Sequence, residues 1–131
     1  MFLDFNELDN PGRVLNGQFP DGVIDWGTNA WWLSRPYGKF TGQSVTFNGS
    51  GPKSATFKFL GVHTLWQLDA FNGGQTSTQV SVSCSGHPTV TATLAANELK
   101  TIFVGWTTPC QAVTISSSNG WLTNFDRLKI K

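Results

Sequence analysis

Apolar residues recur at every second position along most of this chain, and a period of two marks strands with one buried face. Ala55, Phe57 and Phe59 alternate with Ser54, Thr56 and Lys58. Val80, Val82 and Cys84 alternate with Gln79, Ser81 and Ser83, and Val90, Ala92 and Leu94 with Thr89, Thr91 and Thr93. Each run therefore has an oily face and a face of small polar groups. Between the runs stand Asn48-Gly49-Ser50-Gly51-Pro52, Asn72-Gly73-Gly74, Ser85-Gly86-His87-Pro88 and Ser118-Asn119-Gly120, which supply positive φ or stop a ladder. The pattern predicts strands over 2–5, 22–26, 30–34, 43–48, 54–60, 63–71, 77–84, 88–94, 98–104, 110–115 and 124–130. The one helix-compatible stretch, 95–100, is too short to stand alone. The expected fold is all-β: a two-sheet antiparallel β-sandwich of the jelly-roll kind, forming a single domain over residues 1–131.

Composition narrows the function. Fifteen Thr, eleven Ser and nine Asn outnumber the nine Lys+Arg and eight Asp+Glu, and the net charge is +1. Such a surface lacks the basic field that captures nucleic acid, so no nucleic-acid partner is expected. No run of about eighteen apolar residues exists, so no membrane insertion is expected either. The opening Met1-Phe2-Leu3-Asp4-Phe5 lacks a basic region followed by a sustained apolar one and does not read as a signal peptide; a secreted parent could have been cut at this point. Cys84 and Cys110 each lie where a strand-like run meets a turn, and an even pair in a small domain predicts a disulfide, the alternative being two buried thiols. A bridge would place the chain in an oxidising, extracellular setting.

Two segments carry polar groups on faces that should be apolar. Asp126 shares its parity with Leu128 and Ile130, which would turn its carboxylate toward the core, where it needs partners. Asp4, Asn6 and Glu7 near the other end could join it around a Ca²⁺; backbone N–H groups or Arg13 are the alternatives. In 63–71, Trp66, Leu68 and Ala70 read as the core face. The opposite face then carries His63, Leu65, Gln67, Asp69 and Phe71, which is either a saccharide platform or a surface covered by a loop.

Six tryptophans must each be core or serve the surface. Trp31 and Trp32 are adjacent in a strand-like run, so their rings point to opposite sides and one should leave the core. With Arg35 and Tyr37 they form one candidate cluster, in which Arg35 could meet a hydroxyl or a uronate. Trp26, Trp106 and Trp121 adjoin glycines, at positions that either present a ring at a loop tip or cap the end of the sandwich. Asn119, Trp121 and Asn124 form a second cluster, in which an indole and two amides match the apolar faces and hydroxyls of a sugar. Catalysis finds little support. Glu7 and Glu98 are the only glutamates, neither lies beside an Asp on an oily strand face, and neither G-x-S-x-G nor a zinc-spaced Cys/His set is present.

The segments Asp4-Phe5-Asn6-Glu7-Leu8, Gly22-Val23-Ile24-Asp25-Trp26-Gly27, Leu68-Asp69-Ala70-Phe71-Asn72-Gly73-Gly74 and Asn124-Phe125-Asp126-Arg127-Leu128 resemble the galactose-binding-domain-like β-sandwiches, the jelly rolls of non-catalytic carbohydrate-binding modules, for example of families 6 and 35. The resemblance spans nearly the whole chain as a layout. It implies a structural Ca²⁺ between Asp4 or Glu7 and Asp126. It also implies a ligand site either at loop tips, where Trp121, Asn119 and Asn124 match, or on a sheet face, where Gln67 and Asp69 match. The Trp31-Trp32 and Cys84/Cys110 pairs depart from that layout. The function expected is binding of a polysaccharide or oligosaccharide, without catalysis, as part of a larger secreted or cell-surface protein. The alternative is a structural or adhesion module that meets a protein partner.

Overall fold

The computed structural model describes residues 1–131 as two antiparallel sheets packed face to face, with no α-helix. The strands are β1 (Phe2–Leu3), β2 (Arg13–Leu15), β3 (Ile24–Asp25), β4 (Trp31–Ser34), β5 (Ser44–Phe47) and β6 (Ser54–Phe59), followed by β7 (Leu65–Asn72), β8 (Thr78–Ser83), β9 (Val90–Leu94), β10 (Leu99–Phe103), β11 (Ala112–Ser117) and β12 (Thr123–Ile130). The larger sheet runs β10-β7-β12-β5-β4-β2, with β1 paired to β12; the smaller runs β3-β6-β11-β8-β9. The expected sandwich is thus present. β2 was not anticipated: its three residues lie between Pro11-Gly12 and Asn16-Gly17, too short a stretch for periodicity to register.

The inner faces bury a continuous core in which aromatic rings meet edge to face or tilted. Trp26 stands 5.3 Å from Trp31 and 5.0 Å from Phe57, Trp31 is 5.7 Å from Phe47, and Phe47 is 5.7 Å from Phe125. The outer face of the smaller sheet keeps its hydroxyl character, with Thr56 and Thr114 joined side by side at 2.7 Å. Cys84 and Cys110 form the expected disulfide.

Two irregularities overturn the parities read from the sequence. On β12 the register against β7 shifts between Asp126 and Lys129, with Arg127 at φ 50°. Phe125, Leu128 and Ile130 consequently all reach the core, and Asp126 does not share the face of Leu128. A second shift opposes Trp66, whose carbonyl accepts from both Val104 and Gly105. Leu65 therefore faces the core, while Trp66 lies half-buried outside it under the Lys131 ammonium, 3.9 Å from the ring centre. The assignment of Trp66 to the core and Leu65 to the outer face is reversed.

Candidate functional site

Three of the six indoles are sealed inside and three are not, and their hydrogen bonds divide them the same way. Trp26, Trp31 and Trp106 are buried, and each Nε1–H donates to a carbonyl, of Phe19, Thr56 and Pro88 respectively. Of the two positions open to Trp26 and Trp106, a presented loop-tip ring or a ring that caps the sandwich, both are turned inward to their acceptors and not presented. Trp32, Trp66 and Trp121 donate to nothing within the chain and stay in reach of water. The Trp31-Trp32 ambiguity is thereby settled, with Trp31 inward and Trp32 on the outer face of the larger sheet.

On that outer face Trp32 pairs with Thr46 across β4 and β5, and the Phe125–Val45 pairing places Asn124 beside them from β12. Together with Ser34, Tyr37, Trp121 and Leu122 these residues line a cleft of about 280 Å³. Four residues singled out from the sequence, Trp32, Tyr37, Trp121 and Asn124, are brought together here from separate elements. Ser34, Thr46 and Leu122 were missed. A strand hydroxyl between the inward-facing Val45 and Phe47 was the available signal for Thr46.

The cleft walls are held before any ligand arrives. Thr46 Oγ1 donates toward the carbonyls of Trp121 (3.1 Å) and Thr123 (2.7 Å), tying the 3-10 turn Gly120–Leu122 to β5. Tyr37 donates its phenol proton to the Leu122 carbonyl at 3.2 Å, and burial raises its pKa above 10.0, so it remains the protonated phenol. Its ring packs on Phe71 at 5.7 Å, and its hydroxyl fills the space that a Cβ on Gly73 would need. Phe40 closes over Phe71 beside it, so the 37–40 loop covers that part of the β7 outer face. Asn124 donates Nδ2 to Ser44 Oγ at 2.8 Å, while its Oδ1 has no partner in the chain.

The remaining candidates lie elsewhere. The side chain of Asn119 is tied into the turn: one Nδ2–H donates to Asn72 Oδ1 at 2.8 Å, and Oδ1 accepts from Ser117 at 3.0 Å and Thr123 at 2.6 Å. Asn119 thus positions the turn that carries Trp121, and it does not line the cleft. Arg35 turns its guanidinium against the backbone of Gly12, outside the cleft. Asp69 accepts from Thr101 Oγ1 at 2.6 Å and meets Arg127 Nε at 3.5 Å; Gln67 lies further along β7, and neither lines the cleft.

Asp4, Glu7 and Asp126 do not converge as a set of three, and no three acidic, His or Cys side chains do so elsewhere in the chain. Asp4 and Glu7 line a separate hollow with Phe19 and Pro20. Asp126 instead sits opposite Asp69 on the outer face, 5% exposed, with its Oδ1 accepting the N–H of Arg127 at 2.8 Å. Arg13, the other partner considered, bonds to carbonyls in its own segment. Burial raises the Asp126 pKa from 3.8 to about 6; the Arg127 N–H and guanidinium oppose this, while Asp4 and Asp69 add to it.

The native state therefore holds this proton more tightly than the unfolded chain does. The associated stability is full below pH 4 and is lost as pH rises through 6, about 3 kcal/mol in total. Asp126→Asn keeps the acceptor for Arg127 and removes the ionisation. It should melt roughly 5–10 °C above the parent at pH 8 and close to it at pH 4. Thermal unfolding of both proteins in EDTA across this range checks the expectation. A variant destabilised at pH 8 would show that the carboxylate is stabilising there.

No family model matches the sequence, and no curated protein matches it. Among solved structures, the exo-β-1,3-galactanase of Phanerochaete chrysosporium with galactose superposes at TM-score 0.50 and 16% identity over 93% of this chain. The chain spans 30% of that structure's length. TmCBM61 in complex with β-1,4-galactotriose gives 0.43 and 15% over 97% of this chain and 98% of the other. A variant of the same galactanase with β-1,3-galactotriose gives 0.47 and 18%, covering 93% and 29%. At such identity the galactanase likeness speaks to the shared β fold of the matched portion.

Proposed function

We propose that this chain is a non-catalytic saccharide-binding module and that the Trp32–Trp121 cleft is its ligand site. The observation that carries this reading is the convergence of two indoles with unsatisfied N–H groups and one unpartnered amide oxygen, of Asn124, on a preformed cleft. Flat rings take the C–H faces of a pyranose, and the neutral polar groups take its hydroxyls. A cleft of about 280 Å³ lies at the small end of ligand sites and suits one or two sugar rings. No carboxylate, His or Cys lines it, so the hydroxyls of Ser34, Tyr37 and Thr46 have no general base beside them in the lining. The galactose named with the galactanase structure makes galactans a first choice of probe. The family 6 and 35 type of module remains the layout that this chain resembles. The disulfide supports a secreted or extracellular setting, and no helix is long and apolar enough to cross a membrane.

Trp121 is 46% exposed, and Trp32 lies in the same cleft, so ligand binding should quench or blue-shift their emission. Titration with a panel of soluble galactans, glucans, mannans and xylans is expected to give a saturable change for at least one. Silence across the panel would favour the protein-contact reading, for which the exposed Phe103 and Leu99 on edge strand β10 are the available surface.

A further inference from the structure

We infer that the cleft selects uncharged glycans and rejects uronate and sulfated ones, because its lining has no charge while two carboxylates stand further along the same sheet face. This inference rests on the saccharide-binding reading and adds to it the ligand's chemical class. The lining consists of Trp32, Ser34, Tyr37, Thr46, Trp121, Leu122 and Asn124, without Lys, Arg or His. An anionic sugar seated there would be partly desolvated with no cation to meet it. Arg35 follows Ser34 in the chain and was the residue suited to a uronate, but its guanidinium is folded onto Gly12.

The carboxylates further along the outer face of β12 and β7 point the same way. The outer face of β12 carries Asn124 and then Asp126, and Asp126 lies opposite Asp69 on β7. Ser44, which accepts from Asn124, stands beside this pair on β5. Arg127 reaches only one of the two carboxylates through its side chain, at 3.5 Å, and that side chain is largely exposed. A ligand extended from the cleft along this face approaches negative charge.

The hydrogen-bonding groups left free also fit a neutral polyol. Tyr37 spends its proton on the Leu122 carbonyl, as Ser34 does on that of Arg35, and Asn124 Oδ1 has no donor within the chain. Each is left as an acceptor. Sugar hydroxyls supply protons to such groups, whereas carboxylate and sulfate oxygens have none to give.

The test uses the intact protein at pH 7.5 and three forms of each of galacto-, gluco- and manno-trisaccharide: the native sugar, its C6-oxidised acid, and the methyl ester of that acid. Binding is followed by tryptophan emission and ligand-observed NMR. At least one native trisaccharide should bind, its acid should bind about tenfold more weakly, and the ester should return to within a few-fold of the native sugar. Acid binding as tight as the native sugar would overturn the selectivity and leave the saccharide reading standing. An ester as weak as the acid would also overturn it, by tracing the loss to the missing C6 hydroxyl rather than to charge. Failure of all nine compounds, together with silence across the panel of galactans, glucans, mannans and xylans, would overturn both readings. Asp69→Asn, which leaves the cleft lining untouched, should raise the affinity of the acid alone.

Discussion

Replacing either Trp32 or Trp121 with alanine should weaken saccharide binding by about thirtyfold, the loss of a hot-spot contact of about 2 kcal/mol. The structure separates this effect from a folding defect. Trp121 is 46% exposed and its N–H bonds to nothing in the chain, so Trp121→Ala should melt within a few degrees of the parent. Trp31→Ala provides the contrast. Its ring is fully buried among Trp26, Phe47 and Phe57 and donates to Thr56, so truncation should cost about 3–5 kcal/mol of stability. Calorimetric titration of the two surface variants, with melting curves for all three, checks this. Unchanged affinity in both Trp32→Ala and Trp121→Ala would remove the cleft as the ligand site.

Removal of the disulfide should produce the second large effect, this time on stability alone. The bridge closes a loop of sequence separation 26, and chain entropy assigns such a closure about 3.5 kcal/mol. The closed segment contains β9 in the smaller sheet and β10 in the larger, so the bridge confines a crossover between sheets. Cys84→Ala with Cys110→Ala should lower the melting midpoint by roughly 10–15 °C. Well below that midpoint the double variant should bind saccharide as the parent does, because neither cysteine lines the cleft. An unchanged midpoint would mean that packing alone holds the crossover.

Much of this architecture is legible in the sequence because alternation, turn residues and an even cysteine pair act locally. The strands around Phe57, Val82 and Ala92 follow their period-two pattern, and Cys84 meets Cys110 as their positions suggested. The failures share a cause: one extra residue in a ladder reverses every side chain beyond it. Nothing in the letters around Trp66 or Arg127 announces such an insertion, because both are set by what the partner strand does. The site divides similarly. Trp32, Tyr37, Trp121 and Asn124 could be picked by residue type, but the burial of Trp26 and Trp106 depended on acceptors, Phe19 and Pro88, that only the folded chain brings near. Asn119 looked like a ligand group because the alphabet does not record that Asn72, Ser117 and Thr123 already occupy it.

The pairing of β1 with β12 has a mechanical corollary. Met1 donates its amino group to the Ile130 carbonyl at 3.0 Å and accepts the Ile130 N–H at 2.8 Å, so the two ends lie side by side. Any polypeptide joined to both ends would depart from one spot, leaving the domain suspended like a pendant on a single pivot. Such a mount lets the Trp32–Trp121 cleft sweep a wide arc around its attachment, so the reach of a tethered copy would be governed by the stiffness of that one joint.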